Sequence, residues 1–73
     1  MTNWSNAKII AAGLSDAFNG LNMVTTTDGD LLELIKKLPV YQTLPALPES
    51  ARERATIFYN IKLAYINAQS KKS

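Results

Sequence analysis

The sequence predicts an all-α fold: a small three-helix domain, oligomeric, with a long C-terminal helix as its central element. Three observations predict it. Apolar residues recur at helical spacing in three separate stretches, at about 5–20, 28–38 and 48–69. Residues that start and stop helices bracket those stretches. The last stretch is apolar around roughly 260° of its circumference, far beyond the one stripe a surface helix needs.

In the first stretch, Ile10, Leu14, Ala17, Phe18 and Leu21 fall on one helical face, and Trp4, Ala7 and Ala11 adjoin it. Thr2 or Ser5 is placed to cap its start by accepting from a free backbone N–H. Gly20 is placed as the left-handed residue that ends it, with Leu21 folding back. Residues 22–27 contain three consecutive threonines, whose β-branching disfavours helix. An isolated strand would lack a partner, so this segment reads as an extended linker.

The second helix opens at Thr27, an N-cap with Asp30 at the third helical position. Asp28 and Asp30 suit the positive end of the helix dipole, and Lys36 and Lys37 the negative end. Leu31, Leu34, Ile35 and Leu38 line one face. Pro39 stops the helix, because the residue before a proline is pushed out of helical geometry. From Pro39 to Pro48 three prolines make a stiff, extended connector. Its Val40, Tyr41, Leu44 and Leu47 should pack along the second and third helices.

The third helix starts with Pro48 as its first residue, or with Ser50 and Glu53 forming a capping box. It should fray at Ser70. Glu49, Glu53, Thr56, Asn60 and Asn67 form one narrow polar seam. Only Arg54 and Lys62 interrupt the apolar remainder, and their stems can lie on apolar surface while the charges reach water. The expected core is Trp4, Ile10, Leu14, Phe18, Leu31, Ile35, Leu38, Phe58, Ile61 and Tyr65. Two short helices cannot cover so greasy a third one. Tyr59, Leu63 and Ile66 are left over as an apolar patch, which predicts a protein interface and a homo-oligomer.

Composition narrows the function. The chain has 73 residues, 47% hydrophobic and 19% charged, with a net charge of +2. It holds no cysteine and no histidine, which excludes disulfides, thiolate metal sites and any nucleophile–base pair built on either residue. The carboxylate pairs Asp28/Asp30 and Glu49/Glu53 sit in first helical turns, where capping and dipole effects explain them. No enzyme, metal or cofactor is expected. The basic residues are scattered among the acids, against a dedicated nucleic-acid interface. The longest apolar run, residues 9–14, is too short to span a bilayer, and a surface helix over residues 8–18 would offer headgroups only Lys8. No membrane partner and no secretory signal are expected, which places the protein in the cytoplasm.

Arg52, Arg54, Tyr59 and Tyr65 raise a second possibility, since an arginine fork beside aromatic faces can hold a phosphate and stack a base. In a single helix the four do not share one narrow face; copies meeting in an oligomer could change that.

Residues 47–68 also carry a family likeness. Arg52-Glu53-x-Ala55, then Ile61, Ala64 and Asn67-Ala68, following the turn Leu47-Pro48-Glu49-Ser50, resembles the second helix of small phage hairpin proteins. Some members are anti-defence sponges that oligomerise and sequester nucleotide signals made by bacterial immune systems. The chain lacks that family's mid-helix Thr-Lys and acidic pair, and its first arm is broken at Pro39. The resemblance implies an oligomer with a nucleotide ligand at Arg52 and Arg54, and the residue reading adds Tyr65.

The leading expectation is a non-enzymatic protein-binding or assembly module, a small phage- or plasmid-type factor that inhibits or bridges a host protein. The alternative is the nucleotide-signal sponge. A second alternative is a weak nucleic-acid binder using the lysine-rich ends at 36–37 and 71–72.

Overall fold

The computed structural model describes residues 3–72. It is all-helical, with three α-helices and no strand among those residues: α1 (Ala7–Ala17), α2 (Asp28–Lys36) and α3 (Ala51–Lys72). A 3₁₀ turn spans Pro39–Thr43 between α2 and α3. At 22 residues α3 runs about 33 Å, close to the molecule's long dimension of 36 Å. The shorter α1 and α2 lie against it.

α1 begins later and ends earlier than its apolar pattern suggests. Thr2 lies outside the described residues, and Ser5 does not cap. Asn6 occupies the N-cap position without a side-chain bond to the helix. Its Oδ1 accepts from the Asn3 N–H, while Asn3 Oδ1 accepts from the N–H and hydroxyl of Ser5. This asparagine turn uses the polar groups that would otherwise have capped the helix. At the other end Phe18 is already extended, its N–H held on the Leu14 carbonyl at 2.7 Å. Gly20 does take the left-handed conformation, at φ 77°. It shapes the loop after the helix and does not terminate the helix itself.

Tyr65 explains why α1 stops there. Its hydroxyl donates to the Phe18 carbonyl at 2.6 Å and accepts from the Leu21 N–H at 3.0 Å. One side chain from α3 thus satisfies two backbone groups that the ended helix leaves open.

α1 and α3 run parallel. Trp4 packs edge-on against Phe58 with ring centres 6.4 Å apart, and further along Gln69 Nε2 donates to Ser15 Oγ at 2.6 Å and Asn19 Oδ1 at 3.1 Å. α2 also packs on α3. Lys62 pairs with Asp28 at the start of α2 at 3.2 Å, while Leu32 shares a hollow with Ala51, Ala55 and Phe58. Lys62 was expected to carry its charge out to water; it ties α2 to α3 instead.

Residues 22–27 are neither strand nor extended linker. Both Thr25 and Thr26 hydroxyls donate to the Asn22 carbonyl, at 3.2 and 2.7 Å, and the Val24 N–H donates to Asn22 Oδ1. This compact turn buries Met23 in the core. Thr27 caps α2 by accepting from the Asp30 N–H at 3.2 Å. α2 ends at Lys36, and Leu38 is extended ahead of Pro39. The proline connector is extended only after Thr43. Before that, Pro39 fixes a helical φ and starts the 3₁₀ turn. Trp4 pins its far end, donating from Nε1 to the Pro45 carbonyl at 2.7 Å.

α3 starts at Ala51, not Pro48. Ser50 Oγ accepts from the Glu53 N–H at 3.4 Å, and its carbonyl accepts the first helical bond from Arg54. The helix does not fray at Ser70 but continues to Lys72, with no glycine or proline to stop it. The core comprises Trp4, Ile10, Ala11, Leu14, Met23, Leu31, Ile35, Leu38, Phe58, Ile61 and Tyr65. Phe18 sits half-buried at its edge.

Candidate functional site

The core residues of α3 fall on one side, because α1 and α2 reach it from one side only. Phe58, Ile61 and Tyr65 are buried there, with Ile57, Ala64 and Ala68 half-buried beside them. On the opposite side Tyr59, Leu63 and Ile66 are 62%, 44% and 47% exposed. They lie within about 60° of one another around the helix axis. The expected interface residues therefore share one open face.

The same face extends further than those three. Arg52, Thr56 and Ser70 are exposed in line with them. The positions 52, 56, 59, 63, 66 and 70 step alternately by four and three residues. The spacing was available in the sequence, but polar residues at its ends hid it behind the apolar count.

Leu63 also borders a second feature. A groove of about 620 Å³ runs between the start of α1 and the later half of α3, floored by Ala64 and Ala68. Lys8, Lys71, Asn60 and Asn67 stand around it. Apolar surface at Leu63 thus grades into a polar, mildly basic flank.

The proposed nucleotide contacts are not brought together. Arg52 and Arg54 are about 160° apart around α3 and line separate hollows. Arg52 opens on one of about 390 Å³ with Pro48, Glu53, Thr56 and Ile57. Arg54 opens on another of about 280 Å³ with Asp28 and Leu32, and donates from Nη2 to the Glu49 carbonyl at 3.1 Å. Tyr65 is 1% exposed, and its hydroxyl is committed to the α1 loop. As a core residue it has no face to offer a ligand. Of that group only Arg52 shares the open face with Tyr59.

The chain matches no family model, no curated protein and no solved structure.

Both carboxylate pairs are exposed at helix starts, so neither has the low-dielectric surroundings that separate an acid from a base. Among the described residues no group of three or more acidic side chains converges as a metal site, and no helix is long and apolar enough to cross a membrane. What the arrangement offers chemically is an exposed helical face with Leu63 at its middle and Tyr59 and Ile66 to either side. Such a face suits contact with another apolar surface.

Proposed function

We propose that the protein is a non-enzymatic assembly or protein-binding module that works through the exposed face of α3. The observation that supports it is the exposure of Tyr59, Leu63 and Ile66 together on one face of a rigid helix. An isolated exposed apolar residue is ordinary on a protein surface, but three contiguous large ones, one of them aromatic, have the composition of an interface centre. A small factor that inhibits or bridges a host protein is the setting that fits such a module.

The test uses Leu63→Glu, which places a charge at the middle of the face without touching the core. Complexes formed by the tagged protein in a host lysate, with itself or with another protein, are compared with those of the variant. Loss of those complexes at an unchanged melting temperature supports the module. A variant that retains every complex removes α3 as the working surface. A thermal-shift panel of linear and cyclic nucleotides runs alongside, because a ligand that binds the folded state raises its melting temperature. A nucleotide-dependent rise that Arg52→Ala abolishes would replace the module with nucleotide capture.

A further inference from the structure

We infer that the groove between α1 and α3 binds an acidic polypeptide segment, its carboxylates set against Lys8 and Lys71 and its apolar side chains laid on Leu63 and the alanine floor; this rests on the reading of α3 as a protein-binding surface. Charge and the chemistry of the lining carry the inference.

Charge is segregated in this chain. α2 holds three of the six acids, Asp28, Asp30 and Glu33, whereas α3 carries Arg52, Arg54, Lys62, Lys71 and Lys72 against Glu53 alone. Such an excess repels another basic helix and favours an acidic partner. Much of it is answered within the chain. Lys62 pairs with Asp28 at 3.2 Å, Arg54 lines a hollow with the same Asp28, and Arg52 shares another with Glu53. Lys8 and Lys71 are not answered in this way. Both are exposed on the groove, and among the described residues neither joins an ion pair and no carboxylate lines the groove with them.

The backbone adds to the charge at one end. Ala7 and Lys8 open α1, where the helix dipole is positive, no acid stands in the first turn and Asn6 makes no side-chain cap. At the other end the full charge of Lys71 outweighs the half charge on the carbonyl end of α3. Glu53 lies about 10 Å before Asn60 along the α3 axis, which steers an acidic segment toward the later half of the helix.

The remaining lining suits polypeptide better than nucleic acid. Ala64 and Ala68 let a partner backbone come close, and Leu63, 44% exposed, joins the groove to the apolar face of Tyr59 and Ile66. Asn60 and Asn67 each offer an amide donor and acceptor to peptide groups. Among the described residues no aromatic ring lines the groove to stack a base, and two lysines neutralise too few phosphates for firm binding. From Asn60 to Lys71 the groove follows α3 for about 16 Å, the length of about five residues of extended chain.

Fluorescence anisotropy with the full chain tests this. The probes are a labelled peptide of mixed glutamate, leucine and glycine, its counterpart with glutamine for glutamate, and a labelled single-stranded oligonucleotide. The glutamate peptide should bind, and Lys8→Glu/Lys71→Glu should weaken it by more than about tenfold with the melting temperature little changed. Lys36→Glu/Lys37→Glu makes the same change of net charge away from the groove. At physiological salt it should weaken binding by less than about twofold. Equal binding of the glutamine peptide, or equal loss in the two double variants, overturns the inference. So does an oligonucleotide that binds more tightly than the peptide through the same two lysines, or a glutamate peptide that does not bind at all. If Leu63→Glu still abolishes complexes in a host lysate in any of those cases, α3 stands as the working surface and only its acidic occupant falls.

Discussion

Replacing Tyr65 with phenylalanine tests how the packed side of α3 holds the rest of the chain. The ring stays and only the hydroxyl goes, so the buried aromatic packing is conserved. Lost are a 2.6 Å bond to the Phe18 carbonyl and a 3.0 Å bond from the Leu21 N–H, both in partly buried surroundings. A typical bond of this kind contributes a net ~0.5–1.5 kcal/mol, and the two stranded backbone groups add desolvation that water reaching the loop partly relieves. The expected loss is about 2 kcal/mol. A chain of 73 residues has a total stability of roughly 4–11 kcal/mol, so the change is a large fraction of it. The melting temperature should fall by roughly 8–16 °C at fixed protein concentration. Circular dichroism measures the fall, and amide exchange at Leu21 reports the local bond. Tyr59→Phe, on the exposed face, serves as control and should change stability by less than about 0.5 kcal/mol. A Tyr65→Phe loss as small as the control's, with Leu21 exchanging as in the parent chain, would refute the account of how α1 ends.

Gly20→Ala should cost about 1 kcal/mol by thermal melting, because nothing lies within 4 Å of an added Cβ and the φ of 77° alone opposes it. Gly13→Ala should stabilise by up to about 1 kcal/mol, since its Cβ would meet only the tip of Leu38 at 3.4 Å. Trp4→Phe strands the Pro45 carbonyl and thins the contact with Tyr41 and Phe58, and should lower the urea midpoint by an amount equivalent to about 2 kcal/mol. Asp28→Asn removes a half-exposed ion pair with Lys62. Its cost should stay below about 1 kcal/mol and vanish in high salt, as paired melts at two ionic strengths would register.

The sequence pattern carried the helical class because Ile10 and Leu14, Leu31 and Ile35, and Ile61 and Tyr65 recur at spacings that only a helix puts on one side. All six are buried. The open face was legible by subtraction: once α1 and α2 claim one side of α3, Tyr59, Leu63 and Ile66 have nothing left to pack on. Boundaries were less legible, because they depend on side chains arriving from elsewhere. Nothing near Phe18 in the sequence announces that Tyr65 will satisfy its carbonyl. Met23 was hidden for a related reason, since its burial depends on the Asn22 turn and three threonines alone suggest extended chain. An Asn followed three and four residues later by Thr was the available signal. Within one chain Arg52, Arg54 and Tyr65 do not converge, as their spacing around one helix already implied, and the burial of Tyr65 comes from its bonds to the α1 loop.

The parallel docking of α1 on α3 also sets when the protein can fold. Trp4 meets Pro45, Phe18 meets Tyr65 and Ser15 meets Gln69 across separations of 41, 47 and 54 residues. Closing a loop of that size costs on the order of 3.5 kcal/mol in chain entropy before any contact forms. During synthesis Trp4, Ile10 and Leu14 precede α3 and stay uncovered until nearly all of α3 has been made. No half of the described chain can hold this core by itself. Folding therefore waits for α3, and the apolar side of α1 is the surface most exposed to aggregation or chaperone capture until it occurs.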